Sequence, residues 1–162
     1  MSVLFLETPI HTKPKVCYQL SLSVDLHQLS TRKTGEHIVN GVRQGTMKLG
    51  DTVTWKAKHF GVWQTLTTKI TAEKRFEYFV DEMLQGAFKS MKHEHYFVET
   101  SYGTLMKDVF IFESPLGLLG RLFNFMVLER YMRSFLIDRN QTIKEIAESD
   151  KWKTFVSEID LN

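Results

Sequence analysis

A length of 162 residues is enough for one domain with a sizeable buried core and no need of disulfides. The formal net charge of +2, with no dense basic run, gives no reason to expect nucleic acid or an acidic membrane as a partner. No stretch reaches the roughly 18 apolar residues of a membrane span, so stable membrane insertion is not expected. The start of the chain lacks the basic region and cleavage site of a signal peptide, and a single cysteine, Cys17, is typical of a reducing cytoplasm.

The first part of the chain changes character twice. Residues 16–24, VCYQLSLSV, alternate apolar and polar positions, which predicts a half-buried strand. Residues 25–40 become polar with scattered apolar positions, and they predict two short helices separated near residues 33–35. Thr34 is the predicted N-cap of the second helix.

From residue 51 the pattern has a period of two. A half-buried strand shows this alternation because successive side chains point to opposite faces. Ser101, Tyr102 and Gly103 form a short glycine-containing connection of the kind found in hairpins. The five predicted strands are 51–61, 63–72, 76–83, 93–100 and 104–113.

From residue 116 the apolar residues recur at steps of three and four, which predicts one long amphipathic helix over 118–147. A sheet with one apolar face must be covered, and this helix is the only predicted element long enough to cover it. The predicted fold is therefore α+β, with a curved antiparallel sheet, a long C-terminal helix and two short helices after the first strand. We expect a single domain over 1–148 and a C-terminal extension over 149–162.

Strand parity places several polar residues on inward faces. Alternate residues of a strand share a face, so His93, His95 and Phe97 point the same way. If each strand turns its apolar face inward, three histidines and two aspartates lie inside among aromatic residues. The inward set on the other strands is Trp55, His59, Phe79, Asp81, Met106, Asp108, Phe110 and Phe112.

The chain also resembles a known superfamily over residues 16–148. The segments that carry the resemblance are LGDTVTWKAKHFG (49–61), FVDEMLQGAF (79–88), HEHYF (93–97), GTLMKDVFIFESPLG (103–117) and the long helix ending near DRN (138–140). Together they resemble the helix-grip superfamily of START, Bet v 1, polyketide cyclase and coenzyme-Q-binding proteins, often abbreviated SRPBCC. One departure is Ala87, where the similar bacterial branch usually has proline after the glycine.

The resemblance implies a cavity between the sheet and the C-terminal helix, with a bound apolar ligand in many relatives and enzymatic activity in some. We expect this chain to bind a small hydrophobic or lipid-like molecule there. Apolar wall residues supply affinity, and a few polar groups fix orientation. The predicted cavity residues are Trp55, His59, Phe79, Asp81, His93, His95, Phe97, Met106, Asp108, Phe110, Phe123, Met126 and Val127.

Two other functions stay open. A histidine beside an aspartate in an apolar pocket is a general-base arrangement, as a polyketide cyclase or a dehydratase needs. The candidate catalytic residues are His59, His93, His95, Asp81 and Asp108. Cys17 lies opposite the apolar residues of its predicted strand, which disfavours a catalytic thiol. The third interpretation is a non-catalytic interaction scaffold, because fold alone does not decide function.

The pattern His-x-His on a strand is also a metal-ligand spacing, and an aspartate can complete a set of three. No third residue stands at a diagnostic spacing, so we expect His93 and His95 to act as internal hydrogen-bonding groups ahead of metal ligands. No metal and no cofactor are predicted, and the oligomeric state is a monomer or a homodimer. The lysine and arginine positions of the long helix are predicted to face solvent.

Overall fold

One sheet of seven antiparallel strands forms the body of the molecule. The structure is a computed structural model that describes residues 1–114, 127–157 and 161. The strand order is β1-β7-β6-β5-β4-β3-β2, so the first two strands in the sequence lie at opposite edges. The strands are β1 (Ser2–Ile10), β2 (His37–Gly41), β3 (Thr52–His59), β4 (Val62–Lys74), β5 (Tyr78–Gln85), β6 (Ser90–Thr100) and β7 (Gly103–Glu113).

Three α-helices of the described residues accompany the sheet: α1 (Pro14–Leu22), α2 (Val24–Ser30) and α3 (Glu129–Ala147). Helices α1 and α2 carry the chain from β1 at one edge of the sheet to β2 at the other. Helix α3 packs against β1, α1 and α2. The fold is the α+β helix-grip arrangement predicted from the sequence, and among the described residues no helix is long and apolar enough to cross a bilayer.

The prediction of a strand over 16–24 is wrong, because these residues form helix α1 and the start of α2. Pro14 begins α1 at a position where the missing N–H of proline costs nothing. All seven residues from Val16 to Leu22 are buried, so the polar positions do not mark a solvent face and the alternation carries no information about secondary structure. The first strand is β1, where exposed Val3 and Phe5 on the outer face hide the alternation.

The prediction of a second short helix capped by Thr34 is also wrong. Thr34 ends a 3-10 turn, Arg32–Thr34, and Gly35 follows with a left-handed φ of 64°. The chain then enters β2, which pairs with β3 at the sheet edge. Two short helices nevertheless follow the first strand, as predicted, since α1 and α2 both lie between β1 and β2.

The five strands predicted after residue 51 are confirmed as β3 to β7. Their inward faces are also as predicted: in β7 the buried positions are Thr104, Met106, Asp108, Phe110 and Phe112. The predicted long helix is confirmed as α3 from Glu129 to Ala147, and its predicted beginning at 118–126 lies outside the described residues.

The register of the adjacent strands β5, β6 and β7 sets the site. Asp81 of β5 stands opposite His93 of β6, and Phe79 stands opposite His95. On the other side of β6, His95 stands opposite Asp108 of β7, and His93 stands opposite Phe110. Directly opposed residues share a face, so two histidines and two aspartates meet on the inner face of the sheet.

The residues after α3 return to the core. A 3-10 helix, Asp150–Thr154, follows α3, and Val156 beyond it is buried. Trp152 and Phe155 pack against the same buried cluster as α1. The predicted 149–162 extension therefore includes residues that cover part of the core.

Candidate functional site

A cavity of about 470 Å³ lies between the inner face of the sheet and α3. Its size falls within the roughly 300–1,000 Å³ of sites that bind small molecules. Most of its wall is apolar. The main wall residues are Leu22, Val24, Met47, Val53, Trp55, Ala57, Leu66, Ile70, Phe79, Phe88, Met91, Phe110, Leu128, Met132, Phe135 and Leu136.

One side of the cavity holds a buried polar group that we call the inner cluster: Asp81, His93, His95, Asp108, Arg139 and Asn140. Nε2 of His93 lies 2.9 Å from Oδ1 of Asp108, and Nε2 of His95 lies 2.9 Å from Oδ2 of Asp81. Nδ1 of His95 is also 2.9 Å from Oδ1 of Asp108, but outside hydrogen-bond geometry, so this contact is electrostatic. The two imidazole rings lie 3.8 Å apart, centre to centre.

Helix α3 completes the inner cluster. Nδ2 of Asn140 donates to Oδ2 of Asp108 at 2.7 Å, and Nη1 of Arg139 donates to Oδ1 of Asn140 at 3.1 Å. The same Nη1 lies 3.7 Å from Oδ1 of Asp108. A buried charge needs partners of this kind, because its transfer out of water is otherwise prohibitive.

Burial and the neighbouring charges shift the pKa values of the two histidines in opposite directions. Burial, together with the charge of His95, lowers the pKa of His93 to about 4, and so His93 is neutral at physiological pH. Burial also acts to lower the pKa of His95, but contacts with Asp108 and Asp81 outweigh it and raise this pKa above its ordinary value. The histidine contacts hold the pKa of Asp81 below its ordinary value, and that of Asp108 well below, although burial opposes both shifts.

With His95 protonated, the inner cluster carries two negative and two positive charges. Asp81 and Asp108 supply the negative charges, and Arg139 and His95 supply the positive ones. This balance explains how four ionisable groups and one neutral imidazole are accommodated together in the interior.

A second polar group lines the cavity near residues that are partly exposed. Nδ1 of His59 lies 2.6 Å from the hydroxyl of Tyr131 on α3. Burial lowers the pKa of His59, and the charge of Glu36 opposes this only in part. Glu36 is itself paired with Nε2 of His27 at 3.0 Å. Phe60 lines the cavity yet is 50 % exposed, which places this group at the mouth.

The structure brings together seven of the predicted cavity residues: Trp55, His59, Phe79, Asp81, His93, His95 and Phe110 line the cavity. Three others are buried beside it rather than in its wall. Phe97 packs edge-on against Tyr18 of α1, Met106 accepts from Ser21 Oγ at 3.7 Å, and Asp108 lies behind the two histidines.

None of the three cavity residues predicted on the long helix is found in the cavity wall of the described residues. Phe123 and Met126 lie outside the described residues. Val127 is 41 % exposed and is absent from the cavity wall, which carries Leu128 instead. One residue along a helix is a rotation of about 100°, which turns Val127 towards solvent while Leu128 faces the cavity.

The sequence reasoning missed Arg139 and Asn140, and it placed the arginines of the long helix in solvent. Arg139 and Asn140 are both buried, so that prediction is wrong for Arg139. A signal was present: Arg139 continues the apolar stripe of Met132, Leu136 and Ile143 at steps of four, three and four. His27 and Glu36 were missed as well, and no local pattern identifies them.

No protein-family model matches the sequence, and comparison with curated proteins finds no match either. Solved structures are informative about the fold. Protein TTHA0849 of Thermus thermophilus is 14 % identical with a TM-score of 0.69, over 88 % of this chain and 97 % of that one. Major latex-like protein 151 of Panax ginseng is 18 % identical with a TM-score of 0.67, over 90 % and 97 %.

The di-domain ARO/CYC protein StfQ of the steffimycin biosynthetic pathway is 13 % identical with a TM-score of 0.71, over 90 % of this chain and 50 % of StfQ. The predicted resemblance to the START and Bet v 1-like helix-grip superfamily is thus confirmed at the level of the fold. The fold these structures share is the one described above for this chain.

Proposed function

We propose that the protein binds a small, mainly apolar molecule in the cavity between the sheet and α3. The observation that carries this proposal is the combination of an apolar cavity of about 470 Å³ with a buried polar cluster in one wall. The apolar wall supplies affinity, while Nδ1 of the neutral His93 offers an acceptor and the guanidinium of Arg139 offers N–H donors for the ligand's polar group. A lipid-like ligand and a cytoplasmic location are the finer parts of this proposal.

A substitution that fills the cavity with a larger side chain tests the proposed ligand binding. In β3, Ala57 faces the cavity and its neighbour Lys58 faces solvent, so Ala57→Phe and Lys58→Phe form a matched pair. We expect the neutral fluorescent probe N-phenyl-1-naphthylamine to bind the parent protein, and Ala57→Phe to weaken binding by about 10-fold or more, equivalent to about 1.4 kcal/mol. Lys58→Phe leaves binding unchanged. A probe that never binds, or binds both variants equally, contradicts the proposal.

The chemical class of the natural ligand requires a separate measurement. Native mass spectrometry of the protein as purified, followed by denaturing extraction, identifies any molecule retained in the cavity. We expect a mainly apolar molecule with one or two polar groups. Retention of a highly charged metabolite contradicts the apolar character of the wall.

A second candidate function is enzymatic proton transfer, of the kind a cyclase or dehydratase performs. The observation that favours it is the short contact of His59 Nδ1 with the Tyr131 hydroxyl on the cavity wall. When Nδ1 donates to Tyr131, Nε2 carries the lone pair and accepts a proton from a ligand. The lowered pKa of His59 keeps this imidazole neutral at physiological pH. The ARO/CYC designation of StfQ gives this candidate further support.

Proton exchange at an activated carbon tests the second candidate directly. We propose to follow the loss of the α-proton signal of 1-tetralone in D₂O by NMR. If the protein is such an enzyme, exchange exceeds the buffer rate, and His59→Gln and Tyr131→Phe each slow it by about 100-fold, within the usual range for general acid–base catalysis. Exchange at the buffer rate argues against this candidate and leaves the binding proposal intact.

A further inference from the structure

We propose that Asp81, His93 and His95 form a binding site for a divalent transition-metal ion, with Zn²⁺ as the probe. This site goes beyond the proposed binding of an apolar ligand and does not depend on it. The three residues lie on two neighbouring strands, where β5 and β6 hold Asp81 directly opposite His93. Two strands of one sheet give such a set a rigid frame.

The donor atoms already converge. One ligand atom from each of Asp81, His93 and His95 lies within 4.8 Å of the other two. In a tetrahedral zinc site, ligand atoms at about 2.0–2.1 Å from the metal lie roughly 3.4 Å from one another. Nε2 of His95 and Oδ2 of Asp81 are 2.9 Å apart, so only a modest adjustment of the side chains is needed.

The surroundings of the two histidines match the arrangement behind metal-ligating imidazoles. A metal-bound histidine commonly places its other nitrogen against a carboxylate, which fixes the ring. Here Nε2 of His93 and Nδ1 of His95 both lie 2.9 Å from Oδ1 of Asp108. The other nitrogen of each ring, Nδ1 of His93 and Nε2 of His95, is the one assigned to the metal. Asp108 is in turn held by Asn140 at 2.7 Å.

The three ligands lie in the cavity wall, so a bound metal ion has one coordination position open to the cavity. Asp81, His93 and His95 line the cavity, whereas the supporting Asp108 does not. Three protein ligands with access to a cavity are the pattern of a metal site that also binds a small molecule, and two imidazoles with one carboxylate suit zinc or ferrous iron.

The fixed charges favour a cation and limit the fourth ligand. Metal binding requires His95 to lose its proton, and the charges of Asp81, Asp108 and Arg139 then leave one negative charge for a cation to neutralise. A divalent ion brings the cluster to one net positive charge. A fourth ligand with one anionic oxygen, such as a carboxylate or an enolate, brings the cluster to neutrality.

Titration calorimetry of tag-free, chelator-stripped protein with ZnCl₂ at pH 7.5 tests the site. We expect one ion per chain with a micromolar or tighter Kd. Asp81→Asn, His93→Gln and His95→Gln each weaken binding by about 100-fold or more, and the supporting variant Asp108→Asn weakens it by about 10- to 100-fold. The control His59→Gln changes a cavity histidine outside the site and leaves the affinity unchanged.

Two outcomes overturn the proposal. One is the absence of zinc binding up to 1 mM by the folded parent protein. The other is binding that survives His93→Gln and His95→Gln together but is lost in His37→Gln, since His37 lies on the surface. If a ligand variant fails to fold, X-ray absorption of the zinc-loaded parent protein decides, because the site requires two imidazoles per ion and any smaller number excludes it.

Discussion

Nδ2 of Asn140 donates a 2.7 Å hydrogen bond to Oδ2 of Asp108, and this bond joins helix α3 to strand β7. The other carboxylate oxygen of Asp108 contacts both histidines of the inner cluster. The position of the helix is therefore linked, through one buried carboxylate, to the wall of the cavity.

Removal of this bond destabilises the fold. Asn140→Ala leaves a buried carboxylate oxygen without a close donor, and we expect a loss of about 1–3 kcal/mol in the free energy of unfolding. Urea denaturation followed by circular dichroism measures this loss. Gln141→Ala is the matched control, because Gln141 is exposed on the same helix and its side chain donates to Glu145 at the surface. Equal losses in both variants contradict the role assigned to Asn140.

Arg139 compensates charge in the inner cluster. Arg139→Met keeps most of the volume but removes the positive charge beside Asp108, so we expect destabilisation of about 3–5 kcal/mol, the usual result when one partner of a buried ion pair is removed. Arg133→Met, on the exposed face of α3, serves as the control and should change stability by less than about 0.5 kcal/mol. Thermal denaturation of the two variants decides; an Arg139→Met protein as stable as Arg133→Met contradicts the charge balance.

The stability of the metal-free protein depends on pH in opposite senses through its two central histidines. The pKa of His93 is lowered to about 4 in the folded state, so the unfolded chain binds more protons between pH 4 and about 6.5, and stability falls as pH falls through this window. The pKa of His95 is raised, so its contribution is complete below about pH 6.5 and is lost as pH rises through the folded value. Stability should therefore peak near pH 6–7.

Urea denaturation in EDTA at a series of pH values measures this profile. His93→Gln should flatten the slope on the acid side, which otherwise amounts to about 3 kcal/mol over 2.5 pH units. His95→Gln should flatten the slope on the alkaline side. A profile in which His93→Gln alters only the alkaline side contradicts the assignment of the two pKa shifts.

Substitution of two glycines with similar backbone angles distinguishes the cost of a left-handed backbone from the cost of a steric clash. Gly41 and Gly45 have φ values of 86° and 78°, so alanine at either position pays the cost of a left-handed conformation, about 1–2 kcal/mol. At Gly41 an added Cβ meets the carbonyl oxygen of Thr52, whereas at Gly45 nothing lies within 4 Å. We expect Gly41→Ala to be the more destabilising by at least about 2 kcal/mol. Comparable melting temperatures for the two variants argue against this close approach of β2 and β3.

The strands after residue 51 could be predicted because each has one apolar face. In β3, for example, Val53, Trp55 and Ala57 are buried and alternate with Thr54 and Lys56. Such a pattern fixes both the element and the direction of its side chains. Parity predicted that His93, His95 and the two aspartates face inward, and the register of β5, β6 and β7 decides which of them meet.

Elements without that contrast could not be predicted in the same way. Helix α1 is buried on all sides, and β1 carries apolar residues on both faces, so neither has a period that reflects solvent exposure. Parity also says which face a residue occupies but not how far the cavity extends along the strand. Phe97 and Met106 face inward and still lie outside the cavity wall, because α1 packs over them through Tyr18 and Ser21.

Cys17 is the single cysteine, and its labelling rate reports how often helix α1 opens. Its thiol is fully buried on α1, and burial raises its pKa to about 11, so a disulfide reagent such as Ellman's finds no thiolate at the surface at pH 8. Labelling must wait until α1 separates from the sheet. With excess reagent, the labelling rate therefore equals the rate at which α1 separates from the sheet. A ligand or a metal ion that tightens the helix against the sheet should lower this rate.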